Sequence, residues 1–241
     1  MQSAACFRFG LDPSGCTPKS RLISRYAAQF TDLFFTSYSF PEGKSMSMEI
    51  GDKKVDFTAT GLIMQASVKE WISGYWWSRI SHNGTAQDTM MRFSAEDLTH
   101  LPGGRDAHRD LLVRALQARA RNEFTWFDLA AAAIEAAAVA PEDVREEALY
   151  LDVPVIGLIV AIGDQEAFTE QLWSALEAHR AYYSKNEYRT CWSDGFISIP
   201  ILAACCMAID DGMTIDIETD YLPRYLLDHP AWMFELDGTV T

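Results

Sequence analysis

From Lys19 to Ser37 the apolar residues Leu22, Ile23, Tyr26, Ala27, Phe30, Leu33 and Phe34 recur at three- and four-residue intervals. That spacing gathers them on one side of a helix. Pro18 suits its first turn, and Pro41 and Gly43 punctuate its end. The period then changes to two. Met46, Met48 and Ile50 alternate with polar residues, Gly51–Lys54 can turn, and Val55, Phe57 and Ala59 alternate again, which predicts a β-hairpin. A second helix is expected from Leu62 to about His82, with Ile63, Ala66, Trp71, Tyr75 and Ile80 among its apolar residues. The adjacent Trp76 and Trp77 fit a core better than a ligand cage. Thr85–Leu101 has no clear period, and Pro102-Gly103-Gly104 reads as a loop.

Helices are then expected at Ala107–Arg121, Trp126–Ala138 and Glu142–Leu149, with Thr125 as an N-cap and Pro141 in a first turn. Val153–Ile162 is apolar on all sides and should be buried; Gly163-Asp164 ends it. Gln165–Ser184 is the clearest amphipathic helix, with Phe168, Leu172, Trp173, Leu176 and His179 along one side. Phe196–Ile209 is apolar and stops at Asp210-Asp211-Gly212. Ile215 and Ile217 alternate with acids, as in a short strand or extended segment. Tyr221-Leu222-Pro223 opens a short helix to about Leu227, with Asp220 placed to cap it. The sum is a mostly α, compact multi-helix domain of about eight helices with one small hairpin near 46–59 and most tryptophans buried. No Pro-, Gly- and Ser-rich linker interrupts it, so residues 1–241 read as a single domain.

Composition adds limits. With 49% hydrophobic and 22% charged residues the chain is of ordinary globular type. Its most apolar run, Val153–Ile162, has about half the length of a membrane span, and Met1–Gly10 lacks the layout of a secretory leader. Five cysteines (Cys6, Cys16, Cys191, Cys205 and Cys206) form no Cys-x-x-Cys pair. Reduced thiols and a cytoplasmic location are expected, with Cys205-Cys206 as small buried helix residues.

Charge changes the picture more. The net charge is −14. Residues 1–140 carry fifteen acids and fifteen bases, so the whole excess lies in 141–241. Residues 141–170 hold eight acids against Arg145, and residues 209–241 hold eight against Arg224. Such a chain lacks the basic face that nucleic-acid binding needs. It suits attraction to a basic protein, although acidity also serves plain solubility.

Signatures of catalysis are missing: no Gly-x-Ser-x-Gly elbow, no phosphate loop, no dinucleotide fingerprint and no His-Glu-x-x-His. Of His82, His100, His108, His179 and His229, none pairs with another at helical spacing. His100, Asp106 and His108 around the glycine loop are a thin basis for a metal site, and neither metal nor cofactor is expected. Pro102-Gly103-Gly104-Arg105 could cradle an anion but reads more simply as an interhelix loop. Acid groups at Glu146-Glu147, Asp210-Asp211 and Asp216/Glu218/Asp220 leave open a hydrolase using Asp/Glu clusters near His179 or His229. A helical regulatory adaptor is a third reading.

The C-terminal third adds a resemblance. Leu172-Trp173-Ser174-Ala175-Leu176 is followed by His179-Arg180-Ala181-Tyr182-Tyr183. Then come Phe196-Ile197-Ser198-Ile199-Pro200, Ala208-Ile209-Asp210-Asp211-Gly212 and Ile217-Glu218-Thr219-Asp220-Tyr221-Leu222-Pro223. In this order they resemble the Immunity protein 49 family of bacterial polymorphic-toxin systems, most strongly over about residues 150–227. Thr219 and Asp211 depart from the expected Ser and Arg. The resemblance implies a non-enzymatic antitoxin that holds a cognate toxin. That toxin is expected to be a basic DNase or RNase, HNH-like types included, delivered by contact-dependent machinery such as type VI secretion. Combined with the charge, it places the toxin-binding surface on the C-terminal acids Asp210, Asp211, Asp216, Glu218, Asp220, Asp228, Glu235 and Asp237, with Tyr221 and Trp232 as aromatic anchors.

Overall fold

The structure, a computed structural model, describes residues 2–51, 53–61, 66–99 and 102–228. It is mostly helical, 66% by residue, with one two-stranded antiparallel hairpin. Helix α1 (Gln2–Leu11) leads into α2 (Pro18–Tyr38). The junction is knit by Asp12, whose carboxylate accepts from the Thr17 amide (3.1 Å) and from the hydroxyls of Thr17 (2.7 Å) and Ser20 (2.6 Å). Thr17 in turn caps α2 by accepting from the Ser20 amide. Strands β1 (Ser45–Ile50) and β2 (Lys53–Thr58) pair with Met48 opposite Val55, and the hairpin lies mostly exposed on α2.

The next helix, α3 (Val68–Ile80), is the hub. It starts at Val68 rather than at Leu62, because Ser67 caps it by accepting from the Glu70 amide; residues 62–65 lie outside the described set. Trp71, Ile72, Tyr75, Trp76, Trp77 and Ile80 are all buried, so α3 is apolar on nearly every side and packs against α2, α5 and α11. Gly74 is needed there, since a Cβ would come within 2.8 Å of Thr31 on α2 and 2.9 Å of Met90. Met90 ends α4 (Gly84–Met90), a short helix in the stretch without a clear period.

Helices α5 (Ala107–Ala120) and α6 (Trp126–Ala138) form a tight antiparallel pair through the buried Ala130, Ala133 and Ala137. Thr125 sits at the start of α6 in a helical conformation and its side chain makes no cap bond. The next helical run is continuous but irregular: α7 (Glu142–Glu147), a π turn over Ala148–Asp152, then α8 (Val153–Val160). Pro154 has no N–H to give the Tyr150 carbonyl, so the helix widens just before it. On α8, Val155, Ile156, Leu158 and Ile159 are buried, but Val160 is exposed on the outer turn.

Asp164 caps α9 (Gln165–Tyr183) by accepting from the Ala167 amide. The four-residue α10 (Glu187–Thr190) comes next, and then the almost wholly buried α11 (Ile199–Asp210). Gly212, at a φ of 84°, turns the chain out of α11. Residues 213–219 belong to no helix or strand, a turn follows at 219–222, and α12 (Arg224–Asp228) closes the described chain. Asp220 therefore stands four residues ahead of α12 and does not cap it. Buried apolar residues from Ala5 to Leu227 form one cluster. Trp71, Trp76 and Trp77 lie inside it, Trp126 and Trp192 are half-buried, and Trp173 points outward, 53% exposed.

Candidate functional site

Two features stand out, an acidic face and a polar cleft, and α9 supplies a wall to both. The face is built on residues 213–221. Ile215 and Ile217 are buried, so the alternation turns Asp216 and Glu218 outward together, and Asp220 is exposed in the turn that follows. Carboxylates two residues apart on extended chain are ~6.7 Å apart. None of the three forms an ion pair within the described residues.

The segment is laid along α9. At one end the Gln165 side chain bonds the amide and carbonyl of Thr214, both at 3.0 Å. At the other end the Tyr221 ring meets the His179 ring edge-on at 5.1 Å. Arg224 fixes the segment by donating to the Ile215 carbonyl. Beside it, the solvent side of α9 presents Glu166, Glu170, Trp173 and Glu177 at intervals of four, three and four residues, all exposed. The acidic surface thus has two parts, the row on α9 with its exposed tryptophan and the carboxylates of the segment that meets α9 at Gln165 and His179. Arg180 borders the far end of this face, in the groove beside Asp220.

The remaining expected residues fall elsewhere. Asp210 is engaged by Arg79 (2.8 Å) and His82 (3.2 Å), and Asp211 by Arg119 (2.9 Å). Burial lowers the pKa of His82 although Asp210 favours its charged form. Asp228 pairs with Arg224 one turn back on α12 (2.9 Å). Tyr221 is half-buried against His179. Trp232, Glu235 and Asp237 lie outside the described residues.

The cleft is about 150 Å³ in volume and opens between α3, the π turn, α9 and the start of α11. The π turn brings Tyr150 and Asp152 to it. Arg109 of α5 reaches in and is held by Glu147 (2.6 Å) and Asp152 (3.0 Å), while His108 bonds Asp152 at 2.9 Å. His179 is buried on the opposite wall, and burial pulls its pKa down to about 4, so the imidazole is neutral at pH 7. Asp194 borders the same cleft. Burial and the Asp194 charge push the Tyr183 hydroxyl and the Cys6 thiol far above their ordinary ranges. The neutral imidazole of His179 and the protonated hydroxyl of Tyr183 belong to the residues that line the cleft, and the Cys6 thiol is buried behind them. Among the described residues no three His, Cys, Asp or Glu side chains are grouped to hold a metal ion, and no helix is long and apolar enough to cross a membrane.

The row on α9 is absent from the sequence reading. Periodicity groups Trp173 with the buried Leu172 and Leu176, yet it also completes the i, i+4, i+7, i+11 series of Glu166, Glu170 and Glu177. The cleft has no local signal, because Arg109, Glu147, His179 and Asp194 come from four separate stretches of sequence.

The fold is that of a mostly helical protein with exposed carboxylates on α9 and on the segment beside it. The chain belongs to the Immunity protein 49 family, whose model matches residues 12–226. No curated protein and no solved structure matches the chain.

Proposed function

We propose that this protein is an antitoxin that binds a cognate toxin and neutralises it stoichiometrically, without catalysis of its own. Family membership over residues 12–226 supports the immunity role. The observation that carries the binding mode is the set of exposed acids Asp216, Glu218 and Asp220 on the segment and Glu166, Glu170 and Glu177 on α9, with the exposed Trp173. Like charges held so close repel one another, a cost that a basic partner relieves on docking. The partner is a basic nuclease, for whose nucleic-acid site a line of evenly spaced carboxylates can substitute, delivered by contact-dependent or type VI machinery and met in the cytoplasm. Asp210, Asp211, Tyr221 and Asp228 flank these acids in sequence and are included in the proposed surface, as are Trp232, Glu235 and Asp237, which lie outside the described residues. The protein acts as one domain.

Co-expression with the toxin domain encoded beside it tests this reading. Growth rescue and co-purification of a stoichiometric complex are expected. Rescue without a complex would point instead to an enzymatic route of protection.

A further inference from the structure

We propose that the cleft between α3, the π turn, α9 and α11 binds a small uncharged molecule with one aromatic ring and one carbonyl group, whose oxygen accepts from the hydroxyl of Ser198 at the start of α11. This site does not depend on the acidic face.

Helix α11 begins without a cap. Ser198 holds the N-cap position, where a serine ordinarily accepts from an amide of the first turn, but its side chain makes no such bond. Pro200 has no N–H to offer, and the Ile199 and Ile201 amides have no backbone partner among the described residues. The start of the helix is therefore short of an oxygen acceptor. Ser198 is buried, 3% exposed, and its hydroxyl forms no hydrogen bond among the described residues. That oxygen still meets solvent, whereas Nε2 of His179 is enclosed. Ser198 thus presents a polar atom to the cleft, and His179 is only wall. A nearly buried hydroxyl without a partner is an open position for an acceptor.

Charges of both signs border the cleft and nearly cancel. Arg109 lies between Glu147 (2.6 Å) and Asp152 (3.0 Å). Lys69 and Asp194 add one charge of each sign. Two cations thus stand against three carboxylates, and the α11 N-terminus adds roughly half a positive charge. An ion of either sign gains little from that balance and gives up its hydration. Ile72, Trp76, Leu151, Ala175, Ile197 and Pro200 make the rest of the wall largely apolar. A cavity of about 150 Å³ suits one benzene-sized ring. The π turn that brings Tyr150 and Asp152 to the cleft is a rare form of helix that recurs at functional sites.

The test uses the full chain with ¹³C-methyl-labelled isoleucine. Titration with benzamide should move the Ile197, Ile199 and Ile201 methyl resonances saturably, while Ile50 on the hairpin stays in place. Toluene, which has the ring but no carbonyl, should bind the same methyls about fivefold more weakly. Benzoate and benzylammonium should bind more than tenfold more weakly than benzamide. Ser198→Ala, checked for native circular dichroism and melting, should bring benzamide down to the level of toluene. Ala175→Leu, which adds three carbons to the cleft wall, should abolish the binding of both neutral probes. Cleft methyls that benzamide leaves unmoved, benzoate or benzylammonium binding as tightly as benzamide, or a folded Ser198→Ala protein that keeps the preference for benzamide over toluene overturns the proposal.

Discussion

Residues 141–170 and 209–228 are near twins in composition: eight acids against Arg145 in the first, six against Arg224 in the second. The fold uses them differently. In the first, Asp143 pairs with Arg105 (2.7 Å), Glu146 with Lys185 and Arg189, Glu147 with Arg109, and Asp152 with Arg109 and His108. These contacts stitch α5, the α7–α8 run and α9–α10 together. In the second, Asp210 and Asp211 are taken up by Arg79, His82 and Arg119, but Asp216, Glu218 and Asp220 stay open. Backbone geometry makes the difference. Over 143–152 the helical run distributes successive acids around its axis, where bases from neighbouring helices meet them, whereas Glu166 and Glu170 on α9 stay open. An extended segment with alternate isoleucines buried points every second acid the same way. Excess charge counted along a sequence is therefore not yet charge available to a partner.

That contrast can be broken at several points. Asp152→Ala leaves Arg109 and His108 short of a carboxylate in a largely buried network, so unfolding free energy by denaturant titration should fall by about 3 kcal/mol. Toxin affinity of the folded variant should not change; an equal loss of affinity would make the paired acids of 143–152 part of the interface as well.

The pH response of His179 comes next. Its folded pKa, about 4, lies below the ordinary value of 6.5. The unfolded chain therefore takes up a proton that the folded chain refuses. The associated stability is complete above pH 6.5 and is lost as pH falls toward 4, by about 3 kcal/mol at most. His179→Phe should flatten the pH–stability curve across that window, and identical curves for the two proteins would contradict the buried neutral ring.

Trp173→Ala is smaller and opposite in kind to the Asp152 change. The side chain is 53% exposed, so stability should move by less than about 1 kcal/mol, while toxin affinity should drop by about 2 kcal/mol, or roughly 30-fold. Smallest of all is Arg105→Ala. It removes an exposed pair with Asp143 and should alter stability by no more than about 0.5 kcal/mol; a larger loss would mean that this pair is a structural tie like the others.

Much of the fold is legible because its signals are local. The pattern places helix α6 at its observed bounds and the hairpin and α9 to within a residue or so, and the Gly212 stop and the Ile215/Ile217 alternation appear where it puts them. The failures have physical causes. Helix α1 escapes the pattern because its buried residues, Ala5, Cys6 and Phe9, are too few to set a period. Helix α10, at four residues, is too short to show one. The π turn comes from Pro154, but its consequence, bringing Tyr150 and Asp152 to a cleft, depends on the helices packed opposite. For the candidate site, the open acids 216, 218 and 220 are legible from alternation. The engagement of Asp210 and Asp211 is not, because Arg79 and Arg119 lie far away in sequence. Trp173 is misplaced because hydrophobicity alone cannot separate an exposed tryptophan from a core residue one position away.

The central claim is that Asp216, Glu218 and Asp220 attract the toxin while Asp143, Glu146, Glu147 and Asp152 hold the fold. Stopped-flow association of the purified toxin domain with wild type and with Asp216→Lys/Glu218→Lys/Asp220→Lys, each across a salt series, tests it most directly. The account predicts wild-type rates that fall steeply with salt and a variant that folds normally but associates on the order of 10²-fold more slowly, with little salt dependence left. A folded variant that associates as fast as wild type, with the same salt slope, would contradict it.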